Sequence, residues 1–215
     1  MTDEDAWRRY PHHREWFNKL YVATQLKYNC GPCGVSPGVT DDYIVRPIYN
    51  LSEMSAGARI EKIEAGDSTK VPPGHFWCEV FTGYQYSVTY KFFHDIKPYW
   101  KPLSSWQAIR DSENELWKFD KWVRSDYSPP VPRVFNELSD VKIVNIEFVG
   151  HNPIEVHLRD TPDPDYDEII PIWQGEEKSI DKYEKLGYTY IKSFDDADGF
   201  ISTPRLGFMT KNKGE

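Results

Sequence analysis

Glu147 and Glu155 are the two side chains of this sequence whose types and spacing most directly suggest chemistry. Along residues 142–149, Val144, Ile146 and Phe148 alternate with Asn145 and Glu147; along 152–159, Ile154, Val156 and Leu158 alternate with Glu155, His157 and Arg159. Two such runs predict a β-hairpin with one apolar and one polar face. A Gly150-His151-Asn152 loop centred on His151 sets Glu147 opposite Glu155 and Asn145 opposite His157. Groups facing each other across a ladder lie ~5 Å apart, and like charges there repel, so a cation should compensate. Magnesium suits that demand, because it takes hard oxygen ligands and usually completes its shell with substrate phosphates. A competing reading puts both glutamates on a solvated face with Arg159 or a lysine nearby. A register slip of one residue would also separate them, so the hairpin alone does not decide.

Other clusters carry less. Cys30-Gly-Pro-Cys33 matches the thioredoxin signature, but that chemistry needs the first thiolate at a helix N-terminus after a strand. Here the motif follows a predicted helix, and Gly34-Val-Ser-Pro37 cannot begin another. His12 and His13 could join Cys30 and Cys33 on zinc, but adjacent histidines rarely reach one ion and the spacing fits no zinc finger. Residues 160–167 are acidic and proline-rich yet lack the glycine and terminal glutamate of an EF-hand loop.

The elements that must position these residues follow from pattern. Residues 1–13 read as a polar arm. Trp16, Leu20, Ala23 and Leu26 recur at helical spacing over 14–28, which holds Lys19. A glycine- and proline-rich loop spans 29–40, and strands are predicted at 43–48, 58–64, 76–81 and 84–93. The tryptophan-rich stretch 97–124 has a helix expected at 112–123; Ser128-Pro-Pro-Val-Pro132 breaks the chain before a short helix. A helix around 181–185 and a strand at 188–192 complete an α+β pattern without regular βαβ alternation.

The chain has 215 residues, 26 basic against 34 acidic, for a net charge of −8, which gives no support to nucleic-acid or anionic-membrane binding. No apolar run nears the ~18 residues of a membrane helix, and Met1-Thr2-Asp3-Glu4-Asp5 does not open a signal peptide. Three cysteines build no disulfide scaffold, so a cytoplasmic location is expected.

Taken in order, several segments resemble the ATP-grasp family. They are Asn18-Lys19-Leu20 leading into Cys30-Gly-Pro-Cys-Gly34, Tyr43-Ile-Val-Arg46, the loop Asn50-Leu-Ser-Glu-Met-Ser-Ala-Gly57, Trp77-Cys-Glu-Val-Phe81 with Tyr86-Ser-Val88, and the strands Ile146-Glu-Phe148 and Ile154-Glu-Val-His-Leu-Arg159. The resemblance covers residues 18–159. It implies two α+β lobes clasping a nucleotide, without a full preceding domain: an arm at 1–13, an N-lobe at 14–78, a hinge and C-lobe at 79–175, and an extension at 176–215. It implies that Lys19 and Arg46 contact ATP phosphates and that a hinge of Glu79, Val80 and Phe81 holds adenine, with Gln85 near the ribose. Glu147, Glu155 and His157 would hold Mg2+. Arg159 would approach the reacting phosphoryl group, with Lys121 completing the phosphate clamp. The implied activity is a ligase that makes an acyl phosphate from a carboxylate substrate for attack by an amine or other nucleophile, releasing ADP and phosphate. A noncatalytic ATP-binding or adaptor protein is the alternative. Four features depart from the family. The loop at 50–57 has one glycine where the family often has several, so its approach to phosphate would differ. Only a short arm precedes Lys19, so a partner subunit or a macromolecular acceptor would stand in for the preceding domain. Arg46 replaces the commoner lysine, keeping charge and adding a fork suited to phosphate. His157 replaces an asparagine, so Mn2+ tolerance would follow.

Overall fold

In the computed structural model, residues 1–49, 57–110, 116, 118–161, 165–192 and 205–211 are described. The alternating segments form two antiparallel sheets. The smaller has the order β1 (Cys30–Pro32), β4 (His75–Glu79), β2 (Asp41–Pro47), β3 (Arg59–Ile63). The larger runs β11 (Thr189–Lys192), β12 (Arg205–Lys211), β10 (Glu168–Trp173), β7 (Lys121–Arg124), β6 (Tyr99–Ile109), β5 (Gln85–Phe93), β8 (Ile143–Val149), β9 (Asn152–His157). Among the described residues, three short α-helices accompany them: α1 (Asp3–Arg9), α2 (Lys19–Gln25) and α3 (Lys178–Glu184). The α+β class is as expected. No helix among the described residues is long and apolar enough to cross a membrane.

The largest core lies where the N-terminal helical segments meet the end of the large sheet. Trp16, Phe17 and Val22 pack with Val88 and Tyr90 of β5, Ile146 and Phe148 of β8, and Val156 of β9. Burial of these apolar faces, worth ~25 cal/mol per Å2 removed from water, holds the helices along the β9 edge.

Three expectations are corrected. Residues 1–13 are no loose arm: Thr2 and Asp5 close a capping box on α1, and Ala6 enters the core. The helix expected over 14–28 is broken, because Pro11–Phe17 forms 3-10 turns and Asn18 then caps α2, its side chain accepting the Tyr21 N–H at 2.9 Å. The helix expected over 112–123 ends in strand β7 instead; residues 112–115 and 117 of it lie outside the described ones, as do residues 50–56 of the phosphate-loop candidate.

The hairpin has the expected register where it matters, with Asn145 opposite His157 and Glu147 opposite Glu155. Beyond Glu147 the ladder shifts, so that Phe148 faces Pro153 and Val149 faces Asn152. Ile154 is thus the extra residue of a β-bulge, which leaves its carbonyl free of the ladder. The passage between the sheets falls between Glu79, the last residue of β4, and Gln85, the first of β5. Gly83 there has φ +117°, and a Cβ on it would sit 3.1 Å from Gly150 Cα at the hairpin tip. The Gly150 N–H donates to Tyr84 O at 2.8 Å, so the crossing is packed directly against the hairpin.

Candidate active site

Strand alternation puts Glu147, Glu155 and His157 on one face of the hairpin, and the helices wrapped around β9 bring charges to them. Lys19, the first residue of α2, is held by its N–H donating to Ile48 O at 2.9 Å. Its side chain is 2% exposed and its Nζ lies 2.9 Å from Glu155 Oε2. From β2 of the small sheet, Arg46 crosses to the large sheet and donates to the bulge carbonyl of Ile154 at 2.7 Å, its guanidinium over the Phe76 ring. Lys19 and Arg46 therefore meet, at one buried point, a hairpin more than 100 positions further along the chain.

Sequence reasoning missed Asp3. Buried at the start of α1, it accepts from Arg159 at 2.7 Å and bonds His157 Nδ1 at 3.0 Å. The other ring nitrogen, Nε2, sits 3.9 Å from Glu147 and 3.8 Å from Glu155. Gln85 Nε2 donates to Glu147 Oε2 at 3.0 Å. The Thr2-x-x-Asp5 capping box could have announced α1, but nothing in the spacing ties position 3 to positions 157 and 159.

The electrostatics follow from this packing. Burial opposes the imidazolium of His157, yet Asp3 and the two glutamates outweigh it and push the histidine up to about 10. Burial likewise disfavours the Glu155 carboxylate, but Lys19, then His157 and Arg46, hold it below the usual range. Asp3 is buried too, and His157 and Arg159 hold it far below an ordinary aspartate. With His157 protonated, its charge and those of Lys19, Arg46 and Arg159 exceed those of Asp3, Glu147 and Glu155 by one. The cation that two facing glutamates require is here His157, with Lys19 beside it.

A divalent ion fits this donor set in part. The two carboxylates share a face and offer hard oxygens. His157 has the orientation of a ligand, Nδ1 bonded to a carboxylate and Nε2 turned towards the glutamates, but as an imidazolium it competes with a metal. The triangle of Glu147, Glu155 and His157 is also wide. Among the described residues, only His12, His13 and Asp140 bring three metal-ligating atoms within 4.8 Å of one another.

The expected hinge residues lie at the end of β4 and the start of the crossing. Glu79 is tied to Asn29, accepting its N–H at 2.8 Å and donating its own N–H to the Asn29 carbonyl. Val80 is exposed, and Phe81 packs on Tyr28 with ring centroids 4.6 Å apart. Gln85, the first residue of β5 just past the crossing, stands beside Glu147. Lys121 is not brought to the cluster: it pairs with Glu168 at 3.2 Å on β7, and β6, β5 and β8 separate it from β9.

No family model matches the sequence, and no curated protein matches it. Solved structures do. N5-carboxyaminoimidazole synthetase from Staphylococcus aureus, complexed with ADP, is similar over 93% of this chain and 68% of its own, at 10% identity and a TM-score of 0.58. Carboxyaminoimidazole ribonucleotide synthase from Aspergillus clavatus, complexed with ATP, is similar over 93% of this chain and 69% of its own, at 9% identity and a TM-score of 0.56. The chain spans less than two thirds of two other similar structures, 65% of an ATP-grasp superfamily protein from Archaeoglobus fulgidus and 41% of an L-amino acid ligase from Bacillus licheniformis. The chain has the ATP-grasp fold, with two antiparallel sheets and few helices.

Proposed function

We propose that this chain is an ATP-dependent ligase that activates a carboxylate as an acyl phosphate for attack by an amine or other nucleophile. The observation that carries this reading is the buried meeting of Lys19 and Arg46 with the Glu147–Glu155 hairpin, directly beside the crossing between the sheets. Transfer of the γ-phosphoryl group to a carboxylate oxygen breaks the phosphoanhydride bond and releases ADP. The nucleophile then attacks the acyl carbon, and phosphate leaves with the C–O bond electrons. Such chemistry asks a protein for positioning and charge neutralisation more than for covalent help.

Each residue has a role in this reading. Lys19 and Arg46 neutralise nucleotide phosphates, Arg46 through a planar fork. Glu147 and Glu155 would hold Mg2+, with His157 joining them through Nε2 once its proton is lost, and the ion would offset charge on the phosphates. Arg159, released from Asp3, approaches the transferring phosphoryl group. Gln85 orients Glu147. Because His157 must lose a proton to join the ligand set, ion affinity should rise with pH, and an imidazole in the set favours tolerance of Mn2+.

A noncatalytic nucleotide-binding protein is the second reading. The observation in its favour is Asp3, whose carboxylate already engages both Arg159 and His157. Mixing ATP and Mg2+ with panels of acids and amines and following ADP release separates the two. Turnover that Glu155→Gln abolishes, with the melting profile of a folded protein, supports the ligase. Nucleotide at about 100 times its Kd should add about 2.7 kcal/mol of stability; that shift without ADP release, in Asp3→Asn as well as the parent chain, favours the second reading. Absence of any nucleotide-dependent shift contradicts both.

A further inference from the structure

Adjacent histidines seldom share a ligand because neighbouring side chains on a helix point about 100° apart, or about 120° on a 3-10 helix. His12 and His13 escape that rule. Within the Pro11–Phe17 turns, His13 leaves helical geometry (φ −121°, ψ 19°), and the kink brings the two rings to 4.2 Å between centroids. Both then aim Nε2 at one carboxylate. His12 Nε2 lies 2.9 Å from Asp140 Oδ2, and His13 Nε2 lies 2.7 Å from Asp140 Oδ1. Asp140 comes from far along the chain, between the 3-10 turns of Arg133–Leu138 and β8.

We propose that His12, His13 and Asp140 form a binding site for a divalent transition metal of the zinc type, separate from the glutamate hairpin. Two imidazole nitrogens and one carboxylate oxygen suit Zn2+ or Co2+ and poorly suit Mg2+. Metal–ligand bonds of about 2.0–2.1 Å in a tetrahedron set donor atoms roughly 3.3 Å apart. The present contacts are shorter by about half an ångström, so replacing the shared protons by an ion requires a small opening of the triad, not a rearrangement. His13 is buried and fixed, whereas His12 and Asp140 reach solvent. That leaves an approach path and a fourth position for water. The ion would tie the segment just after α1 to the start of β8. It would thereby hold the helix that carries Asp3 against the hairpin, without touching the groups of the proposed ligase chemistry.

Cobalt titration of the full chain at neutral pH, without nucleotide, tests this directly. The expected result is a visible d–d absorption band that saturates at one equivalent, is displaced by Zn2+, and persists in a Glu147→Gln/Glu155→Gln variant. His12→Gln alters an exposed side chain and should leave the melting profile of the metal-free protein unchanged, yet weaken cobalt binding roughly tenfold or more. Zn2+ should raise the Tm of the parent chain and not of His12→Gln. The inference fails if no band appears, or if the band survives unchanged in His12→Gln. It fails equally if thiolate-to-cobalt charge transfer puts the ion on Cys30, Cys33 or Cys78.

Discussion

Replacing Lys19 by methionine probes the contact that ties α2 to the glutamate hairpin. Methionine keeps most of the stem volume but removes the ammonium 2.9 Å from Glu155, and Lys19 is 2% exposed. A buried carboxylate that loses its partner costs about 3–5 kcal/mol, whereas removing both members of a pair costs far less. Arg46 and His157 also act on Glu155, so the lower half of that range applies, about 3 kcal/mol. For a chain of this length, each kcal/mol moves the Tm by about 2–4 °C, giving a fall of roughly 6–12 °C. Urea unfolding of Lys19→Met, Glu155→Gln and the double variant closes a thermodynamic cycle with an expected coupling of about 2 kcal/mol. The Lys19→Met deficit should also shrink in acid, as the unpaired Glu155 takes up a proton. Strictly additive single costs, or a Lys19→Met cost below about 1 kcal/mol, would refute the pairing.

Two further expectations concern the groups around Asp3. His157 is raised from 6.5 to about 10 on folding, so its contribution is complete below pH 6.5 and is lost as pH climbs towards 10. Asp3 is depressed, so its contribution is present above the ordinary aspartate range and is lost only in strong acid. Urea midpoints should therefore decline from pH 6.5 to 10, and a rise over that interval would overturn the assignment. Asp3→Asn should flatten the decline while lowering stability by about 2–3 kcal/mol, because Arg159 and His157 lose their shared anion. The same variant should bind ATP about tenfold more tightly by calorimetry, since a charged hydrogen bond of about 1.5 kcal/mol no longer competes for Arg159. Weaker binding would make Asp3 a part of the nucleotide site.

The hairpin was legible because its chemistry follows a period of two. Alternation from Val144 to Leu158 and a glycine at position 150 suffice to set Glu147 against Glu155, and the bulge at Ile154 alters the register only on the turn side. Strand β7 was not legible. Leu116, Phe119 and Val123 mimic helical spacing, and it is the pairing of Lys121–Arg124 between β6 and β10 that makes that segment extended. Within β6, Pro102 obscures the strand; it lies where the ladder with β5 shifts, Thr89 facing Ser104 and Tyr90 facing Pro102, as a residue without an N–H requires. Asp3 was invisible for another reason. Its partners lie 154 and 156 positions away, and a contact of that range is set by how the N-terminal helical segments pack on the large sheet, not by local pattern. The kink at His13 belongs to the same class, since Pro11 and Asn18 end the regular helix around it without announcing where the rings will point.

The bulge carbonyl of Ile154 gives the two sheets a clasp as well as a ladder defect. With Arg46 holding that oxygen and Lys19 holding the next carboxylate along β9, the halves of the molecule cannot part by swinging at Gly83 alone; two charged contacts at the deepest point must let go first. A guest wedged between the halves would therefore wait on a spontaneous gape rather than on diffusion. Its association should be slow, should saturate with concentration, and should quicken when Arg46 or Lys19 is neutralised, even as the guest's final hold weakens.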